Sequence, residues 1–325
     1  MSSASDQRSA RILKNLLTSI SEGNYYEGHQ ALRTVVNRYI KSSKFDAAID
    51  FLHAGAKELS KHDQWGSVSD LILYILKIYK EQNLPVSVEN KERLCDLLVD
   101  YPVDDKEIKT IISSATAWSI SSSNSSSGDS VLHHFFGTFL SQGNEFIDSE
   151  KHFLFGTPES AVSYGKMLYA WSVATGGNHH GIFLSRGVLQ YLSLGNIDMS
   201  SNCLSSFMKC LKLNNSSFEA VEAESQYGNI TVEYTKDHPL VGFCQLVLMA
   251  VQKSNGDINS PASRTFSVCR KRYSVYFAEN EKHFSSILDK IGALYFGILV
   301  QKQANMFEDL MNSFFAPNNA GAIGN

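Results

Sequence analysis

The chain has 325 residues, 43% hydrophobic and 11% aromatic, enough to bury a large core, and length alone suggests about two domains. Its net charge of −4 and pI near 6.2 supply no cationic field for a polyanion, which excludes nucleic acid as a main partner. The first eight residues lack the apolar core of a signal peptide, and the longest apolar run, Leu240 to Val251, falls short of the ~20 residues that cross a bilayer.

In chain order, Ile12, Leu13, Leu16, Leu17 and Ile20 recur at helical spacing and predict a first helix, stopped by Gly23-Asn24. A stripe of Leu32, Val35, Val36, Tyr39 and Ile40 predicts a second over 25–42. Further helices are expected at 45–62, 66–82, 89–100 and 105–117, punctuated by Pro85 and Pro102, which makes three hairpin pairs. Nine of the fifteen residues from Ser113 to Ser127 are serine, a composition that predicts a flexible surface loop. The helical beat resumes at Val131 to Gln142, Phe146 to Phe155, Pro158 to Thr175, Gly181 to Gly195 and Met199 to Lys212. Tyr227 to Thr235 alternates β-branched and polar residues beside Gly228-Asn229 and predicts a short hairpin or β-loop. His238-Pro239 then opens an apolar helix to Val251, followed by helices at 260–277 and 281–297. The tail carries Met306, Phe307, Leu310, Met311, Phe314 and Phe315 on one helical face, the pattern of a peripheral helix or a disordered tail.

The stretch Glu22 to Leu32 is echoed at Lys44 to Ala48 and at Gln142 to Phe146: a small or polar stop, an aromatic on the next first turn, then an apolar helix. That is the grammar of a helical-repeat solenoid. The expected fold is all-α, a right-handed TPR-like α-solenoid of antiparallel helix hairpins with a small β insertion near 227–235. The expected domains are N-terminal repeats over 1–120, C-terminal repeats with the β-loop over 121–302, and a tail over 303–325.

No phosphate-binding glycine loop, nucleophile elbow or His-Glu-x-x-His occurs, so no cofactor, metal or catalytic residue is expected. The adjacent pairs His133-His134 and His179-His180 point about 100° apart on a helix and do not share an ion readily. Cys95, Cys203, Cys210, Cys244 and Cys269 contain no Cys-x-x-Cys pair and read as reduced thiols of a cytosolic protein. Arg33, Arg38, Lys41 and Lys44 fall within twelve residues that contain no acid; 33, 41 and 44 are expected on one face, with His29 a turn earlier. Such a stripe is either a solvated helix back or a docking strip for an acidic protein surface. Leu240, Phe243, Leu246, Val247, Leu288, Ile291 and Tyr295 are either repeat core or apolar surface that a partner must cover. Val232 and Tyr234 on the predicted strand favour the partner, because an exposed strand edge can pair with another chain.

The run Gly23-Asn24-Tyr25-Tyr26-Glu27-Gly28-His29-Gln30-Ala31-Leu32-Arg33-Thr34, followed by Asn37-Arg38-Tyr39, resembles the helical-repeat adaptor family of the guided-entry pathway for tail-anchored membrane proteins. Val188 to Leu192 and Ile287 to Gly297 support the resemblance, in family order. It implies that the N-terminal repeats dock on the targeting ATPase dimer through His29, Arg33, Arg38, Lys41 and Lys44, with Asp70, on the helix after Gly66, in a regulatory contact. It implies that the C-terminal repeats hold a ubiquitin-like-domain adaptor, which recruits a TPR co-chaperone carrying the client. By the same resemblance the chain is cytosolic, is not an enzyme, and restrains premature ATP hydrolysis. Gly28 departs from the family pattern, which usually has a helix-forming Ala there. Competing expectations are a solenoid subunit of another assembly, such as a proteasome-lid type complex, and a hydrolase with an unrecognised site.

Overall fold

The computed structural model describes residues 4–123, 125–177, 179–214, 219–225, 228–234 and 236–298. The tail expected over 303–325 lies outside these residues. Fourteen α-helices, one 3-10 helix and one β-hairpin make up the described residues, an all-α fold of successive helix pairs. They fall into two compact units, Met1–Phe139 and Leu140–Asn325.

The first unit holds α1 (Ala4–Ser21), α2 (Tyr25–Lys41), α3 (Phe45–Ser60), α4 (Trp65–Glu81), α5 (Val88–Leu98), α6 (Ile108–Ser121) and the start of α7 (Ser130–Gln142). Its repeat is set by the turns. Gly23, Ser43, Asp63 and Asn83, twenty residues apart, all adopt positive φ of 49 to 95°. After each, the next amide reaches back to a carbonyl five residues earlier: Asn24 to Ser19, Lys44 to Tyr39, Gln64 to Leu59 and Leu84 to Tyr79. Each helix therefore ends in a left-handed cap that satisfies its last carbonyls and turns the chain into the next helix. Only the first of the four is glycine, so the other side chains carry a steric cost. Ser43→Gly is expected to stabilise the first unit by about 0.5–1 kcal/mol, read as a higher urea midpoint.

Leu32, Val36, Ile49, Leu52, Leu71 and Tyr79 are fully enclosed between these helices. Gly28 belongs to the same packing: a Cβ there would sit 2.5 Å from Ile20 Cγ1, so the close α1–α2 crossing accounts for glycine at that position. The first part of the serine-rich segment, to Ser121, is helix and not the loop its composition predicts. α6 runs to Ser121, four residues past the expected end, with Thr116, Trp118 and Ser119 buried. Thr116 Oγ1 bonds the Ile112 carbonyl at 2.8 Å, the back-bond that lets a hydroxyl residue sit inside a helix. Trp118 donates from Nε1 to the Leu84 carbonyl and packs on Tyr79. The chain beyond α6 is anchored as well: Ser119 Oγ accepts the Asp129 amide, and Asp129 pairs with Lys91 at 3.0 Å.

The second unit holds α8 (Phe146–Phe153), α9 (Pro158–Ala174), α10 (His180–Ser193), α11 (Ile197–Asn214), β1 (Glu219–Ser225), β2 (Gly228–Tyr234), α12 (Pro239–Gln252), α13 (Pro261–Tyr273), the 3-10 helix η1 (Ser274–Asn280) and α14 (Glu281–Phe296). α10 is its centre, packed against α9, α11, α12 and α14 and buried on almost every face. Among the described residues the five cysteines are free; Cys203, Cys244 and Cys269 are buried, and burial pushes the Cys244 thiol up to about 12. The helix expected over 260–277 is broken at Tyr273, where the chain tightens into η1.

A hairpin stands where the alternating stretch predicts a β element. β2 covers Gly228–Tyr234, but its partner is the preceding Glu219–Ser225, in antiparallel register with Ser225 opposite Gly228. Gly228-Asn229 is thus the start of a strand and not its turn.

Candidate functional site

In the first unit His29, Arg33 and Asn37 lie one turn apart on α2, and Asp70 and Tyr74 one turn apart on α4. The two rows meet. His29 Nε2 lies 2.9 Å from Asp70 Oδ2, and Arg33 donates to both Asp70 oxygens at 2.6 Å. The Arg33 guanidinium also stands over the Tyr74 ring, 5.3 Å from its centroid, and the Tyr74 hydroxyl donates to Asn37 Oδ1. Burial raises the Tyr74 hydroxyl above its ordinary pKa. Asp70, Arg33 and His29 therefore form one internal clamp between α2 and α4. The arrangement recurs one helix later: Lys57 on α3 donates to Asp96 on α5 at 2.9 Å, and His53 Nε2 lies 3.0 Å from the same carboxylate. A His-x-x-x-basic pair gripping an aspartate two helices on is thus a repeated cross-tie of this unit.

The structure brings together some of the basic residues and separates others. His29 is buried and Arg33 is partly covered by its clamp. Arg38 and Lys41, in the last turn of α2, are exposed and make no ion pair among the described residues. Lys44 does not share their face: Ser43 ends α2 with a positive φ, and Lys44 caps the start of α3. Tyr74 and Asn37 complete the clamp but were not singled out in the sequence; their signal was the four-residue spacing from Asp70 and from Arg33.

In the second unit Val232 and Tyr234 lie over Gly242 of α12, both within 4 Å of where its Cβ would stand. Gln245 fastens the strand, accepting the Glu233 amide at 3.0 Å and donating to its carbonyl at 2.8 Å. Lys212 of α11 pairs with the Glu233 carboxylate. The outward backbone groups of β2 at Glu233 are taken, which corrects the expectation of an edge open to strand addition there.

Of the two readings of the apolar residues in the last repeats, burial favours repeat core for most of them over surface awaiting a partner. Leu240, Phe243, Val247, Leu288 and Ile291 are all at most 4% exposed, because α10 covers both α12 and α14. Leu246 and Tyr295 remain partly accessible, and Leu294 beside Tyr295 is exposed.

His180, at the start of α10, stacks on Tyr169 and meets His238, at the start of α12, with ring centroids 4.8 Å apart. Burial, then the neighbouring His238, depresses the His180 pKa, and burial depresses those of His238, His53 and His133. Each group binds its proton more readily unfolded than folded, so its contribution is intact above the ordinary histidine value near 6.5 and fades as pH falls below it. The melting temperature is expected to be lower at about pH 5.5 than at about pH 7.5, with a smaller drop in His238→Gln. An equal drop in both proteins would show that this pair does not contribute.

The family model described as Golgi to ER traffic protein 4 matches residues 42–315. Golgi to ER traffic protein 4 of Schizosaccharomyces pombe is 32% identical over 298 residues, covering 90% of this chain and 91% of the relative. The protein of the same description from Aspergillus fumigatus is 29% identical over 316 residues, covering 93% and 88%. The crystal structure of C. therm. Get4 superposes with a TM-score of 0.81 at 26% identity, covering 98% of this chain and 99% of that one. The family match starts just past α2, so Asp70 lies inside it and His29 and Arg33 before it.

Proposed function

Because the chain belongs to the Golgi to ER traffic protein 4 family, we propose that it is a cytosolic, non-enzymatic adaptor in the post-translational targeting of tail-anchored membrane proteins. Its first unit docks on the targeting ATPase dimer and restrains hydrolysis; its second holds a ubiquitin-like-domain partner and, through it, a TPR co-chaperone. The family match over most of the chain carries this reading. The exposed basic pair Arg38 and Lys41 supports the first contact, and the β2–α12 platform with Leu246 and Tyr295 supports the second. No described helix is long and apolar enough to cross a membrane, as suits a factor that meets its membrane clients through others.

Within this reading the clamp residues His29, Arg33 and Asp70 have a double part: they fix α2 on α4 and set the potential beside the basic pair. Arg33→Glu would place an acid against Asp70 and disturb the fold as well as any docking. Arg38→Glu with Lys41→Glu is the cleaner test, since neither residue has an ion pair to lose among the described residues. The double variant is expected to bind the nucleotide-loaded ATPase about tenfold or more weakly at low salt, with the gap narrowing as salt screens it. Equal affinity at both salt concentrations would remove this strip from the contact.

A further inference from the structure

A cleft of about 320 Å³ opens between α13, η1 and α14, within the size range of sites that seat a ligand or side-chain cluster, about 300–1,000 Å³. Phe266, Phe277, Phe284 and Ile298 give it apolar walls, and Lys271 and Arg270 add positive charge. Arg270 is held by Asp289 at 2.6 Å, whereas Lys271 is exposed and has no ion pair among the described residues. The last turn of α13, Arg270-Lys271-Arg272, is basic throughout. The chain itself arrives at this cleft: Gly297 ends α14 with a φ of 65°, and the Ile298 amide bonds back to the Gly292 carbonyl at 3.1 Å. Ile298, one of the cleft's walls, is also the last described residue.

We propose that the occupant of this cleft is the chain's own segment 306–315. Met306, Phe307, Leu310, Met311, Phe314 and Phe315 follow the i, i+4, i+8 spacing that gathers apolar side chains on one helix face. Glu308 and Asp309 are the only charges between 303 and 325, opposite in sign to the basic end of α13. The eight residues from Ile298 to Met306 reach up to ~26 Å when extended, more than the segment needs to return to a cleft that Ile298 lines. Tethering raises the effective concentration to roughly the millimolar range, which favours this segment over any free competitor of similar pattern. The docked tail covers apolar surface beside α14, the last of the described helices. Docking of the tail is independent of the proposed targeting role.

The test uses the full chain without partners. Phe307 is replaced by benzoylphenylalanine, the protein is irradiated at two concentrations, and adducts are mapped by mass spectrometry. The expected result is an intrachain adduct within 264–288, at a yield independent of concentration. Lys271→Glu is expected to cut that yield about fivefold, the scale of one partly exposed charge contact, and Ser274→Trp, which fills the cleft, is expected to abolish it. Both substitutions fall on exposed positions. Adducts elsewhere, adducts only between two copies, or yields unmoved by both substitutions would overturn the proposal. None of these outcomes bears on ATPase binding, which Arg38→Glu with Lys41→Glu tests separately.

Discussion

Glu150→Ala is expected to destabilise the second unit by about 3 kcal/mol, the low end for removing one partner of a buried pair. Glu150 on α8 is only 4% exposed at its side chain, and its carboxylate accepts three bonds: Arg186 Nε at 3.0 Å, Arg186 Nη2 at 2.8 Å and Gln190 Nε2 at 3.0 Å. Burial would lower the Arg186 pKa, but the Glu150 charge and its hydrogen bonds prevail and hold it above its ordinary value. The guanidinium is also stacked over Trp171, 5.2 Å from the ring centroid. Without Glu150 both donors on α10 lose their acceptor. Arg186 is about one-third exposed and recovers some hydration, which keeps the loss below the full range for a sealed pair. In a unit of this size 3 kcal/mol corresponds to a fall of roughly 6–12 °C in melting temperature. Glu150→Gln should lose less, since it keeps an acceptor and the side-chain volume. A change under about 1 kcal/mol in the alanine variant would mean that α8 is held by its apolar contacts alone.

Gly165→Ala is expected to cost about 1–3 kcal/mol, although alanine is the better helix former by roughly 1 kcal/mol. Gly165 lies on α9 where it crosses α11. A Cβ there would stand 2.4 Å from the Cys203 carbonyl oxygen, 3.0 Å from Ser206 Cβ and 3.1 Å from the Phe207 nitrogen. Two of these three atoms are backbone, so no side-chain rotation relieves the clash and the helices must part. Parting them opens voids beside Tyr164, Leu168 and Phe207, all fully enclosed now. Chemical denaturation of the variant would measure the effect; unchanged stability would show that α11 can shift without loss.

The array was legible in the sequence because its turns are periodic. Gly23-Asn24 announces the first left-handed cap, and the same twenty-residue step places Ser43, Asp63 and Asn83 at equivalent positions. Where sequence and structure part, a tertiary contact outweighs composition. Ser113 to Ser121 looks like linker, yet Trp118 beneath Leu84 and Tyr79 holds it helical. Glu219 to Ser225, rich in Glu and Ala, has little strand propensity, and it becomes β1 because β2 is fixed on α12 by Gln245. The apolar face of the last repeats was evident, but the residues left core and partner surface equally open, and the packing of α10 on α12 and α14 decides for core. In the candidate site, residue types and the four-residue spacing of His29 and Arg33 were visible from the start. That Asp70, forty-one residues after His29, closes on both is a property of the fold.

The most direct measurement of the central claim is a pull-down from cytosol with the tagged full-length chain, at low and high salt, with bound proteins identified by mass spectrometry. The account predicts a targeting ATPase that is lost at high salt together with a ubiquitin-like protein that stays bound. Recovery of neither protein at low salt would contradict it.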